Sequence, residues 1–150
     1  MIHTLERTQL IPAPLGRVWE YFATPANLNA LTPPDLQFKI LDRPGPMHVG
    51  QRIKYRIRLL PGVRVRWITE IREVNHERRF VDVQLRGPYA VWHHAHEFTA
   101  VNGGVEMLDR VTYALPFGSL GALVHTLWVG RTLRRIFDYR QQAVVQIFSA

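Results

Sequence analysis

Three histidines fall within four residues of the segment Ala90–Phe98, AVWHHAHEF. Residues two apart in a strand share a face. Trp92, His94, His96 and Phe98 then point one way, and Val91, His93, Ala95 and Glu97 the other. Two imidazoles side by side between aromatics can chelate a metal, act as acid and base beside a carboxylate, or form the polar part of a cavity wall. A catalytic zinc needs a third protein ligand and an open position. The sequence offers His48 and Asp109 for that place, and His48 lies in the loop DRPGPMHVG. The cavity-wall reading is preferred: no metal is assigned and no cofactor is called for. His96, Asp109 and His94 stand as the candidates for acid–base chemistry.

Other chemistries find less support. The chain has no cysteine, which removes thiolate catalysis, disulfides and Cys-ligated zinc. Ser119 and Ser149 lie in contexts that offer no nucleophile. The stretch Asn102–Gly104 reads as a hairpin turn rather than a phosphate loop.

The positions of these residues depend on the elements around them. Residues Ile2–Ile11 read as a strand ended by PAP. Pro14 opens a helix with Leu15, Val18, Trp19 and Phe22 on one face. Thr24 and Pro25 introduce a second short helix, Ala26–Leu31. Leu36–Leu41 reads as a short strand. In Gln51–Leu60, Ile53, Tyr55, Ile57 and Leu59 alternate with Arg52, Lys54, Arg56 and Arg58. After a turn at Pro61–Gly62, Val63, Val65, Trp67, Thr69 and Ile71 form the apolar face of a long strand, with Arg64 and Arg66 opposite. Arg79–Arg86, Tyr89–Val101 and Val105–Leu115 complete an antiparallel meander. Helical spacing returns over Leu120–Phe148, where Leu120, Leu123, Val124, Leu127, Ile136, Phe137, Val144 and Ile147 trace a stripe. Arg131, Arg134, Arg135 and Arg140 lie mostly off it. Gly121 and Gly130 weaken this helix, and close packing on the sheet is the preferred reason for them.

This order is that of an α+β helix-grip fold, a curved antiparallel sheet wrapped around a long C-terminal helix. The segments IPAPLGRVWEYFATPANLNALTPPDLQF, GPYAVWHHAHEF and DRVTYALPFG, with RIFDYR in the last helix, resemble the START-related superfamily often abbreviated SRPBCC. Its small bacterial stand-alone members are the nearest likeness. The resemblance implies a deep cavity between sheet and helix that takes a hydrophobic small molecule: a lipid, quinone, isoprenoid or polyketide-like compound. It leaves open a cyclase or dehydratase that works by acid–base catalysis in the same cavity, without metal or covalent nucleophile. A third reading is an interaction module with a filled cavity. Binding is preferred over catalysis.

The concave face should carry Ile53, Tyr55, Trp67 and Tyr113, and with them the aromatic side of AVWHHAHEF. Tyr55, Trp67, Trp92, His94, His96, Phe98, Asp109 and Tyr113 are therefore the expected ligand-binding residues. A two-residue loop at Asn102–Gly103 fixes the register, so that Trp92 faces Tyr113, His94 faces Val111, His96 faces Asp109 and Phe98 faces Met107. A His96–Asp109 pair is expected on that face, because the alternative register turns Arg110 and Thr112 inward.

The opposite face carries Arg52, Lys54, Arg56, Arg58, Arg64 and Arg66 in one hairpin. Like charges across a hairpin are unfavourable, so this face is read first as solvated and protective against edge pairing. Its sharper reading is docking to an anionic membrane surface or an acidic protein. Nucleic acid ranks behind both, since no aromatics interleave the cations.

The length of 150 residues and 47% apolar content suit one domain, residues 1–150, and the formal charge is +7. The start MIHTLERTQL lacks the pattern of a signal peptide, and a cytoplasmic location is expected.

Overall fold

The apolar alternation becomes seven antiparallel strands in one sheet. The computed structural model describes residues 1–60 and 62–149. The expected turn at Pro61 and the facing of the Leu59 side chain lie outside the described residues. Strand β1 (His3–Ile11) is followed by helix α1 (Leu15–Phe22), the 3-10 segments Pro25–Leu31 and Pro34–Leu36, and β2 (Lys39–Ile40). A meander follows: β3 (Arg52–Leu60), β4 (Val63–Asn75), β5 (Arg79–Arg86), β6 (Val91–Val101) and β7 (Gly104–Ala114). The spatial order β1-β7-β6-β5-β4-β3-β2 puts β6, which bears the histidines, near the middle. The chain ends in helix α2 (Gly118–Val124), a π turn over His125–Val129, and helix α3 (Gly130–Phe148). This is the expected α+β helix-grip architecture.

The register of the last hairpin is the one the Asn102–Gly103 loop demands. Val101 pairs with Gly104, and Trp92, His94, His96 and Phe98 oppose Tyr113, Val111, Asp109 and Met107. Gly103 has φ +93°, a left-handed conformation that glycine adopts without steric cost.

Three features depart from the expected layout. The strand expected over Leu36–Leu41 shrinks to Lys39–Ile40, because Pro34 starts a 3-10 turn and Gln37 closes it in the left-handed region at φ +49°. The short helix after Thr24 is likewise 3-10, over Pro25–Leu31.

The third difference is in the terminal helix. Its buried stripe is Leu133, Phe137, Arg140, Val144 and Phe148. Arg140 was expected off the stripe and sits within it. Leu120, Leu123, Val124 and Leu127 do not face the sheet, and Leu127 is 65% exposed. The π turn breaks the 3.6-residue period between the two helical stretches, so one stripe cannot run through both. In the first stretch the buried residue is Gly121, where an added Cβ would lie 2.2 Å from the Pro116 carbonyl oxygen. A Cβ on Gly130 would press on the His125 ring at 3.2 Å. Both glycines serve close approach, but to the preceding loop and to the π turn rather than to the sheet.

The core has three parts, one of them Leu36, Ile57 and Trp67 on the β3–β4 side. Trp19, Phe22, Phe80, Phe98, Val144 and Phe148 pack beneath α1, and Val111, Tyr113, Leu133 and Phe137 join β7 to α3. Between them the concave face is left open. No helix is long and apolar enough to cross a membrane among the described residues.

Candidate functional site

Alternation along β6 turns Trp92, His94, His96 and Phe98 toward the concave side. The two flanking strands then supply the carboxylates. On β5, Asp82 stands opposite His94 and Phe80 opposite His96. On β7, Asp109 stands opposite His96. The hydrogen bonds run diagonally across this grid. His94 Nε2 donates to Asp109 Oδ1 at 2.8 Å, and His96 Nε2 donates to Asp82 Oδ2 at 2.8 Å. The protons belong on Nε2 because an ionised carboxylate can only accept. The two rings stack with centroids 3.7 Å apart, and His96 also stacks on Phe80 at 4.0 Å.

The expected His96–Asp109 neighbours are cross-strand partners, with His96 Nδ1 3.3 Å from Asp109 Oδ1. The shorter bond of Asp109 nevertheless goes to His94. His96 instead finds Asp82, which the sequence reading did not single out.

Arg140 closes the cluster from α3. Its Nε donates to Asp109 Oδ2 and its Nη2 to Asp109 Oδ1, each at 3.2 Å, and Nη2 lies 3.5 Å from His96 Nδ1. His94, His96, Asp109 and Arg140 are all buried. A buried charge persists only when paired and hydrogen-bonded, and here the guanidinium and Asp109 neutralise each other.

Burial, with His96 alongside, pushes the His94 pKa down to about 4 against the pull of Asp109, so the ring is neutral at pH 7. Burial alone would raise Asp109. The Arg140 charge and the imidazole hydrogen bonds outweigh it and hold the carboxyl well below its ordinary range. Asp82 is lowered in the same way: the His96 bond and the surrounding positive charge overcome desolvation.

These groups form the polar end of a cavity of about 110 Å³. Its other walls are mainly apolar, with Phe22, Leu31, Ile53 and Ile71 prominent. Thr69 and Tyr55 add hydroxyls that bond each other at 3.2 Å. Among the described residues, Arg140 is the terminal helix's contribution to the lining; α1, the Pro25–Leu31 segment and Met47 form the roof. Thr24, Pro25 and Met47 line both this cavity and an outer groove, so they are the partition between interior and solvent.

The eight expected ligand residues divide evenly. Tyr55, Trp92, His94 and His96 lie on the cavity wall. Trp67 sits one layer out against Tyr55 and Trp92, and its buried Nε1 has no partner among the described residues. Phe98 belongs to the core under α1, with its ring 5.4 Å from Trp19. Asp109 lies behind the histidines. Tyr113 packs on α3, and its hydroxyl meets His125 Nε2 at 2.7 Å. Of the proposed third metal ligands, His48 is exposed and bonds Val49 O, while Asp109 faces His94 Nε2 and His96 Nδ1.

Sequence reasoning missed Asp82 and Arg140, although signals were present. Asp82 is two residues after the core residue Phe80 in RFVDVQLR and so shares its face. Arg140 is three residues after Phe137 and four before Val144, which is core spacing on a helix.

Comparison with known proteins agrees with this architecture. Protein CV1439 of Chromobacterium violaceum superposes with TM-score 0.75 at 13% identity, covering 99% of both chains. Protein Ms6760 of Mycobacterium smegmatis gives 0.66 at 20% identity, covering 96% of this chain and 92% of the other. Ara h 8.0201 gives 0.61 at 17% identity, covering 97% and 99%. At these identities the likeness concerns the fold. No curated protein matches the sequence. Residues 3–146 match the family described as polyketide cyclase/dehydrase and lipid transport, and the chain belongs to that family.

Proposed function

We propose that this chain binds a hydrophobic small molecule with its polar end against the His94–His96–Asp82 wall. The observation that carries the reading is an apolar cavity ended by a fixed, buried polar cluster. Binding sites of this kind combine apolar walls with a few oriented polar groups. The polar end also selects. Asp82 and the free Nδ1 of His94 accept hydrogen bonds, whereas the Nε and Nη2 donors of Arg140 are directed to Asp109. A hydroxyl or N–H end fits this wall better than a carboxylate.

Volume limits the ligand. An apolar cavity of roughly 150 Å³ takes up a benzene, and about 110 Å³ suits one small ring or the end of a longer molecule. A lipid, quinone, isoprenoid or polyketide-like ligand would extend past Thr24, Pro25 and Met47 into the outer groove. Native mass spectrometry of freshly purified protein, followed by extraction, tests the reading. A hydrophobic adduct is expected, and Leu28→Trp, which intrudes on the cavity, should abolish it. Protein that is folded, empty and unable to take up small phenols overturns the proposal.

A second reading, catalysis of the cyclase or dehydratase type, draws on the family and on the neutral His94 ring held by a carboxylate. It predicts that His94→Gln retains ligand but loses turnover. The convex Arg52, Lys54, Arg56, Arg58, Arg64 and Arg66 would in either case suit contact with an anionic membrane or an acidic protein.

A further inference from the structure

The same wall holds three metal-donor atoms that hydrophobic binding does not require. An Asp82 carboxylate oxygen and one ring nitrogen each of His94 and His96 lie within 4.8 Å of one another, and all three residues border the cavity. Asp82 Oδ2 is 2.8 Å from His96 Nε2 and 3.9 Å from His94 Nδ1. Neighbouring ligand atoms around a tetrahedral zinc stand roughly 3.3 Å apart, given Zn–N bonds of about 2.0–2.1 Å. The two rings must swing out of their 3.7 Å stack for both lone pairs to meet at one ion, a change of χ angles rather than of strands.

The nitrogens that face away from Asp82 also have a partner. His94 Nε2 bonds Asp109 Oδ1 at 2.8 Å, and His96 Nδ1 is 3.3 Å from the same oxygen. Metal-binding histidines nearly always present their second nitrogen to such an acceptor, which fixes tautomer and ring orientation. Here one carboxylate is placed to do this for both rings, and Arg140 pins it from behind. Because Arg140 is spent on Asp109, Asp82 remains the anionic group toward the cavity, and a dication there meets net negative charge.

We infer that Asp82, His94 and His96 form a binding site for a divalent first-row transition metal, such as Zn²⁺ or Fe²⁺, at the polar end of the cavity. Two histidines and one carboxylate with open positions are a known donor set for these ions. Loading requires the Nε2 proton of His96 to leave and Nδ1 to carry one instead, with Asp109 Oδ1 as its acceptor; the 3.5 Å contact from Arg140 Nη2 to that nitrogen is given up. The ion then replaces the His96–Asp82 hydrogen bond. Its open positions face the cavity, where a carbonyl or hydroxyl oxygen of a bound molecule would be polarised. The inference stands or falls separately from hydrophobic binding, since it is read with metal alone.

The test is titration of metal-stripped protein with Zn²⁺ by calorimetry and with Co²⁺ by visible absorption. Expected are one ion per chain at micromolar or tighter affinity and the intense Co²⁺ bands of a low-coordinate site. His96→Gln should weaken affinity at least 100-fold, and Asp109→Asn 10–100-fold, the range for such supporting groups. His125→Gln, which alters the other histidine contact, a 3.5 Å stack with His3, should change nothing. Circular dichroism identifies variants that fail to fold. His94→Gln serves as the replacement for either, with the same loss expected as for His96→Gln. No uptake by wild type at 100 µM Zn²⁺, or undiminished uptake by folded His96→Gln or His94→Gln, overturns the inference.

Discussion

On the concave face of the sheet, His94, His96 and Asp109 meet Arg140, and every charge faces a partner within hydrogen-bond reach. On the convex face of β3 and β4, Arg56 stands opposite Arg66 and Arg58 opposite Arg64, with Lys39 beside Arg56 on β2. The same two-residue period produces both arrays. Their difference is dielectric: water screens repulsion between the outer cations, whereas an unpaired charge within costs several kcal/mol. The inner charges are therefore constrained to one geometry, whereas the outer cations remain at the solvent surface, Arg52 beside Glu70 and Arg64 beside Gln37.

The comparison breaks most sharply at Asp109. Asp109→Ala leaves the Arg140 guanidinium buried without its bidentate partner, and about 3–5 kcal/mol of stability should be lost. Urea denaturation measures this directly. Arg56→Ala on the convex face should stay within about 0.5 kcal/mol of wild type. Equal costs at the two sites would remove the distinction.

Acid should act next, again through the inner cluster. The folded pKa of His94 is about 4, below its ordinary value of 6.5, so the unfolded chain binds this proton first. Stability is then full above pH 6.5 and declines between roughly pH 6.5 and 4, by at most about 1.4 kcal/mol per pH unit. Asp109 and Asp82, both held below 3.8, add a further loss as the pH falls through their folded values. Denaturation midpoints between pH 7 and 4 should show the slope, and His94→Gln should flatten it. A level wild-type curve over that interval contradicts the buried, neutral assignment of His94.

The smallest effect is expected outside. Arg56→Glu with Arg64→Glu relieves two like-charge pairs, and stability should rise by less than about 1 kcal/mol. If the face docks to anionic membranes, the reversal should also lower retention on phosphatidylserine vesicles, and added salt should weaken retention by wild type. Retention unchanged by the reversal leaves the array as a solvated surface.

The β6–β7 register was legible in the sequence because a two-residue loop and a period of two leave little freedom. From it followed the inward facing of His94 and His96 and the placing of Asp109 opposite His96. The diagonal hydrogen bonds were not legible, since they depend on side-chain torsions and on β5, whose pairing no tight turn reported. Arg140 escaped for another reason. A cation on a helix is normally solvated, and only its pairing with Asp109, 31 positions away, makes burial tolerable. The exposed Leu120, Leu123 and Leu127 show the converse limit: the π turn at His125–Val129 shifts the helical phase, and apolar spacing alone does not reveal it.

The central claim is that the cavity takes an apolar molecule by its polar end at the histidine–carboxylate wall. Titration with phenol, followed by NMR of the histidine imidazole and tyrosine ring resonances, tests it most directly. Saturable shifts of His94, His96 and Tyr55, reduced at least tenfold in affinity when toluene replaces phenol, are the predicted result. Saturable binding that shifts Tyr89, in the separate groove it forms with Val124 and Trp128, while His94 and His96 stay unmoved would contradict it.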